Sequence, residues 1–170
     1  MKTLSALLTG ALLVCGASSI RVLAALGPPD EAFIKVAAQH SMAEIRLGEI
    51  AKAKATQPGV KEFGEMMATD FSKAKEELRK LAAANDITIS DNLEEQYQAT
   101  VDRFEELYET EFDKSFIDQM VGDHEKNVAA FEAASRTAEN PALKAFVEKT
   151  LPTLREHLKR GQALQKGIPK

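Results

Sequence analysis

The segment from Phe33 to Leu81 returns 83 residues later as Phe116 to Leu164, in one register and without a gap. Phe33-Ile34 answers to Phe116-Ile117, Glu49 to Glu132, and Pro58-Gly-Val-Lys-Glu-Phe63 to Pro141-Ala-Leu-Lys-Ala-Phe146. Internal self-similarity of this kind marks a repeated supersecondary unit. Each copy carries its proline in the middle, where one helix must stop and the next begin, so the repeated unit reads as a helical hairpin.

Helical periodicity supports this reading. Stripes of mostly apolar residues recur at three-and-four spacing along Val60, Phe63, Met67, Phe71, Ala74, Leu78 and Leu81, along Ile117, Val121, His124, Val128 and Phe131, and along Leu143, Phe146 or Val147, Thr150, Leu154, His157, Gly161 and Leu164. A lone amphipathic hairpin leaves its stripe wet, whereas hairpin on hairpin covers both, so the expected fold is an all-α four-helix bundle. Hairpins are expected over about 30–85 and 110–166, joined by a connection with its own helix over about 91–108. That connection is long enough to travel the length of the bundle. Asp30 is expected to cap the first helix, Asp91 with Glu94 and Thr110 with Asp113 have capping-box spacing, and Asn140 caps the last helix. Pro152 lies inside that last helix and should bend it.

Residues 1–24 stand apart from the bundle, which takes 25–170 as a single domain. Lys2, an apolar run from Leu4 to Val14, small residues Gly16-Ala-Ser-Ser19 and then Val22-Leu-Ala24 have the order of a secretory signal peptide. Cleavage after Ala24 is expected, with Ala17 to Ser19 a second place for the cut. An uncleaved anchor is disfavoured because Arg21 closes the run and serines dilute it. Export places the mature chain in the periplasm or at the outer membrane, with no transmembrane segment. Cys15, the only cysteine, goes with the signal; lipid attachment there is disfavoured by Val14 before it. Removing Lys2 and Arg21 from the 22 basic residues leaves 20 against 26 acidic, a formal charge of -6. Such a balance argues against nucleic acid as a partner.

Candidate chemistry centres on histidine. His124 and His157 lie about equally far from the turn near Asn140, so the hairpin folds them to one height on their stripes. Facing imidazoles are raw material for a copper, zinc or iron site. The same count about the first turn sets Glu44 opposite Phe71, and His40 and Glu44, four apart, share a helix face. Met120, one turn before His124, would suit copper. A bland alternative makes His124 and His157 hydrogen-bonded core residues and His40 a surface one. A carboxylate-bridged di-iron centre is disfavoured because no Glu-x-x-His occurs. No nucleophile elbow surrounds a serine and no glycine-rich phosphate loop is present, so the chain points away from an enzyme.

Four runs of residues, Phe33-Ile-Lys-Val-Ala-Ala-Gln39, Met42-Ala-Glu-Ile-Arg-Leu-Gly48, Met120-Val-Gly-Asp-His-Glu-Lys126 and Thr150-Leu-Pro-Thr-Leu-Arg-Glu-His-Leu158, resemble the exported bacterial family called domain of unknown function 4142. The resemblance covers about residues 30 to 165. It implies a ferritin-like fold, export, and no settled activity. Members of that family commonly carry histidine after the aspartate of the second helix, where this chain reads Asp70-Phe71-Ser72. If the family's inward polar residues at the positions of Glu44, Phe71, His124 and His157 hold a metal, this copy has exchanged one ligand for an aromatic ring.

Two functions follow as expectations. One is a non-enzymatic, envelope-associated scaffold or interaction module acting through self-association or a partner. The other is a periplasmic metal binder using Glu44, His124 and His157, with Asp70 or His40 in support.

Overall fold

The computed structural model describes residues 26–168, the side chains of residues 109 and 110 excepted. Residues 1–24, expected to be a signal peptide, and Cys15 among them therefore lie outside the described residues. Five helices follow one another: α1 (Pro28–Lys54), α2 (Pro58–Ala83), α3 (Glu95–Glu106), α4 (Glu109–Thr137) and α5 (Pro141–Gly167). The chain is all-α, and Pro58 and Pro141 open the second helix of each hairpin, where a missing N–H costs nothing. Helix α5 continues through Pro152. None of the described helices is long and apolar enough to cross a membrane.

The four long helices form a ring in which α1 packs on α2, α2 on α5, α5 on α4 and α4 on α1. Helix α3 runs alongside α1 in the same direction: Gln39 meets the chain at Asn92 and Glu94, and Arg46 meets Glu105. It carries the chain back along the bundle so that α4 starts beside the α1–α2 turn. The order is thus up, down, crossover, down, up, the one-crossover arrangement of ferritin-like bundles.

The repeat has a structural counterpart that the cap assignments missed. Asp113, near the start of α4, is 1% exposed and accepts from the backbone N–H of Thr56 and Gln57 in the turn of the other hairpin, at 3.0 and 2.9 Å, and from the Thr56 hydroxyl. Asp30, near the start of α1, accepts from the N–H of Glu139 and Asn140 in the opposite turn, at 3.3 and 3.0 Å. Residues 30 and 113 are related by the 83-residue register, as are the two turns. Each aspartate therefore clamps the partner hairpin instead of capping its own helix. Helix α1 begins earlier, at Pro28 after Gly27, and α4 at Glu109 after Tyr108, with no side-chain cap on either. The clamps satisfy turn N–H groups that burial would otherwise leave unpaired.

Helix α3 also starts later than the Asp91–Glu94 spacing predicts. The buried Gln39 amide donates to Asn92 O at 3.0 Å and accepts from Glu94 N at 2.9 Å, which holds this strip extended until Glu95, while Asp91 pairs with Arg79. Asn140 caps α5 as its sequence position predicts, accepting from Ala142 N and Leu143 N.

Close approach of α1 and α2 depends on Gly48 and Gly64: a Cβ on Gly48 would lie 2.5 Å from Gly64 O, and one on Gly64 2.7 Å from Gly48 O. Core aromatics collect toward the two ends. Phe63, Phe104, Phe112 and Phe116 cluster near the α1–α2 turn, and Phe33, Phe131 and Phe146 near the other. Each fully buried ring contributes on the order of 1.5–3 kcal/mol. The histidines occupy the layer between these clusters.

Candidate functional site

His124 on α4 and His157 on α5 meet in the middle of the bundle, 0% and 1% exposed, with His124 Nε2 3.3 Å from His157 Nδ1 and ring centroids 5.3 Å apart. The outer nitrogen of each ring is also engaged. His124 Nδ1 lies 2.8 Å from the backbone carbonyl of Met120, one turn back on α4. His157 Nε2 lies 3.2 Å from Asp70 Oδ2, supplied by α2.

These partners assign the hydrogens. A carbonyl only accepts, so His124 Nδ1 carries its hydrogen and Nε2 presents a lone pair. Burial works against ionised Asp70, but hydrogen bonds from Lys73 and His157 outweigh it and hold this carboxyl below its usual range, so it too only accepts. His157 Nε2 therefore donates to Asp70. Burial lowers the pKa of His124 to about 3, with His157 adding to the effect, and burial lowers that of His157 against the pull of Asp70. Both rings are neutral near pH 7, and the two inner nitrogens then face each other at 3.3 Å with a lone pair each and no hydrogen between them. A donor or a cation must answer that pair, or the two nitrogens repel.

The rest of the shell is aromatic. Phe71 lies 5.7 Å from both His124 and His157 and 6.0 Å from His40, centroid to centroid, and Phe63 packs on the other side at 6.4 and 6.2 Å from the two central rings. Phe71 fills the space among three histidines.

His40 and Glu44 form a second group on α1. His40 Nε2 is 3.3 Å from Glu44 Oε1, and the Asn127 amide of α4 lies 3.0 Å from His40 Nε2. Burial brings His40 down to about 4 despite the nearby Asp123, and it pushes the Glu44 carboxyl well above the ordinary range, helped by Asp123. The surface reading of His40 is corrected accordingly: its side chain is 18% exposed. Among the described residues no three His, Cys, Asp or Glu side chains form a group able to hold a metal ion. Glu44, His124 and His157 thus do not close into one cage, and Asp70 serves the outer nitrogen of His157. Equal height along the hairpins was correct, but height fixes neither the rotation of α1 nor the aromatic wedge. Met120 enters through its carbonyl. Asn127, Asp123 and Tyr97 were not expected as site residues, although Asp123 and Asn127 fall at the repeat positions of His40 and Glu44.

A family model, Domain of unknown function (DUF4142), matches residues 18–164. The chain belongs to the DUF4142 family. No curated protein matches this DUF4142 chain. Among solved structures, a DUF305 fragment from Deinococcus radiodurans superposes with a TM-score of 0.75 at 12% identity, over 85% of this chain and 99% of that one. CopM in the Cu(II)-bound form superposes with a TM-score of 0.66 at 18% identity, over 81% of this chain and 96% of that one. At these identities the likeness is one of fold.

Proposed function

We propose that this DUF4142 protein is an exported helical bundle that holds one copper ion, as Cu(I), between His124 and His157. The observation that carries this reading is the 3.3 Å approach of the two inner ring nitrogens, with each outer nitrogen already beside an oxygen acceptor. Ligating histidines characteristically donate their other ring nitrogen to a carbonyl or a carboxylate, which fixes the tautomer and leaves the inner nitrogen for the metal. A copper ion would be held by His124 Nε2 and His157 Nδ1, the two nitrogens that approach to 3.3 Å. Imidazole suits copper and zinc alike, but zinc and Cu(II) ask for four ligands, and this dry site offers two. Likeness in fold to a protein solved with Cu(II) bound adds modest support.

Export follows from the leader-like residues 1–24 and puts the bundle in the periplasm or at the outer membrane. The second reading, a non-enzymatic scaffold, is favoured by Phe71, which fills the space a third ligand would need. Anaerobic titration of Cu(I) against a coloured Cu(I) chelator separates the two. One Cu(I) per chain is expected, lost in His124→Ala and His157→Ala and weakened about 10–100-fold in Asp70→Asn. Binding weaker than about millimolar, or unchanged by both alanine variants, leaves the scaffold. Under the copper reading, a His124→Leu/His157→Leu double variant also keeps its stability, since apolar groups replace buried polar ones. Fractionation with the mass of the mature N-terminus tests export, the expected first residue being Ala25.

A further inference from the structure

A cleft of about 450 Å³ opens between α1 and α4 beneath the first turns of α3, outside the His124–His157 pair. Glu44 lines it, 1% exposed, and Glu44 Oε2 is buried without any hydrogen-bond partner, while Oε1 faces His40. A buried acceptor left unanswered costs about 1–3 kcal/mol, so natural interiors rarely keep one. Here it lies in a space of small-molecule size.

We propose that this cleft binds a small alkylammonium ion, whose N–H groups reach Glu44 Oε2 and whose hydrocarbon body lies against Val36, Ala43 and Leu47. Several observations select this chemistry. Glu44 and Asp123 both line the cleft, and Lys126 there is already paired with Asp123, so the lining disfavours an anion. A divalent metal ion is disfavoured, because no three ligating side chains come together among the described residues. His40, neutral through burial, does not compete as a cation, and Glu44, which burial keeps protonated in the empty cleft, releases that proton to solvent when the ammonium binds. The protein already places one alkylammonium at the mouth: Lys126 pairs with Asp123 at 3.4 Å while its own side chain is 80% exposed. A free ammonium has the same chemistry and can go deeper. Tyr97 supplies an aromatic wall, a favourable neighbour for a cation.

The register of the duplication gives the cleft its construction. His40 and Glu44 on α1 correspond to Asp123 and Asn127 on α4 under the 83-residue shift, so equivalent i, i+4 pairs face each other across the groove. Neither His124 nor His157 takes part, and the inference stands apart from the copper reading.

Calorimetric titration of the purified, metal-free protein with butylammonium tests it, with tetramethylammonium and butyrate as controls. One butylammonium per chain is expected, with binding at least about tenfold weaker for tetramethylammonium, which has no N–H to donate, and none for butyrate. Glu44→Leu, folded by circular dichroism, should lose butylammonium by at least about tenfold, Asp123→Asn should weaken it, and His124→Ala should leave it unchanged. Affinity weaker than about 10 mM, or equal in wild type and both Glu44→Leu and Asp123→Asn, overturns the proposal. So does a zinc ion that binds through Glu44 where butylammonium does not. Loss of copper in His124→Ala alongside intact amine binding shows two separate sites.

Discussion

Lowering the pH from 7 to 5 should destabilise the metal-free protein, and replacing Glu44 by glutamine should make the effect steeper. His124 and His40 are held neutral by burial, their pKa values lowered from 6.5 to about 3 and about 4. The unfolded chain takes up those protons near pH 6.5, so between that pH and the folded values each histidine draws the equilibrium toward unfolding as acid is added. Integrated over those two pH units, each contributes a loss of about 2 kcal/mol, about 4 kcal/mol together. That is a large share of the roughly 5–15 kcal/mol that holds a domain folded. Burial lowers His157 as well, which adds in the same direction. Glu44 opposes them: burial and Asp123 raise its carboxyl, so the folded state keeps a proton that the unfolded chain has released, and this contribution is lost as pH rises. The wild-type profile is therefore flatter than the histidines alone require. Glu44→Gln removes the opposing group without changing its shape. Urea unfolding followed by helical circular dichroism at the two pH values reads the difference, with about 4 kcal/mol lost in the variant and clearly less in wild type. A variant profile no steeper than wild type, or flat within about 1 kcal/mol, would refute the burial argument for both histidines.

The clamps predict an order: Asp113→Ala, which removes contacts to two N–H groups and a hydroxyl, should cost about 3–5 kcal/mol, and Asp30→Ala, with two longer bonds, about 1–3 kcal/mol, both read by chemical denaturation. One substitution should have opposite signs at two glycines. Gly48→Ala meets backbone at 2.5 Å and should lose about 1–3 kcal/mol, whereas Gly122→Ala meets nothing within 4 Å and should gain up to about 1 kcal/mol in helix propensity. Phe71→His places a third imidazole beside the central pair; Cu(I) affinity should rise at least about tenfold while thermal stability falls by several degrees, and equal affinity would show that the ring does not reach the metal.

Much of the fold is legible in the chain because its information is periodic. The two prolines mark the hairpin turns, the apolar stripes mark the inward faces, and counting from the second turn brings His124 and His157 to one level, where they are 3.3 Å apart. Contacts set by neither period nor height were not legible. Asp30 and Asp113 have spacing that reads locally as helix caps, yet their partners lie 109 and 57 residues away in the chain. The same limit explains why Glu44 was grouped with the central histidines. Only its packed position shows that it faces a different cleft, with Phe71 between His40 and the central pair.

The duplication also shows which part of this interior is framework and which part is site. Its clamps occur twice, at Asp30 and Asp113, because both hairpins need their turns held. The carbonyl contact under His124 occurs twice as well: Ser41, its counterpart, donates to Ala37 O at 2.8 Å as His124 does to Met120 O at 2.8 Å. The inherited feature is thus a polar side chain bonded to the preceding turn, which a serine satisfies at less burial cost than an imidazole. The rest of the central chain has no such precedent. His157 corresponds to Ala74, and Asp70 to Thr153, so neither the second imidazole nor its carboxylate has an acidic or basic counterpart in the other copy. Core filling alone gives no reason to put a second buried imidazole and a charge behind it where alanine and threonine serve the equivalent positions. A ligand pair does, because it needs two inward lone pairs and an acceptor to fix the tautomer of each ring. The asymmetry therefore favours a site built onto a symmetric frame over a polar residue merely tolerated inside it.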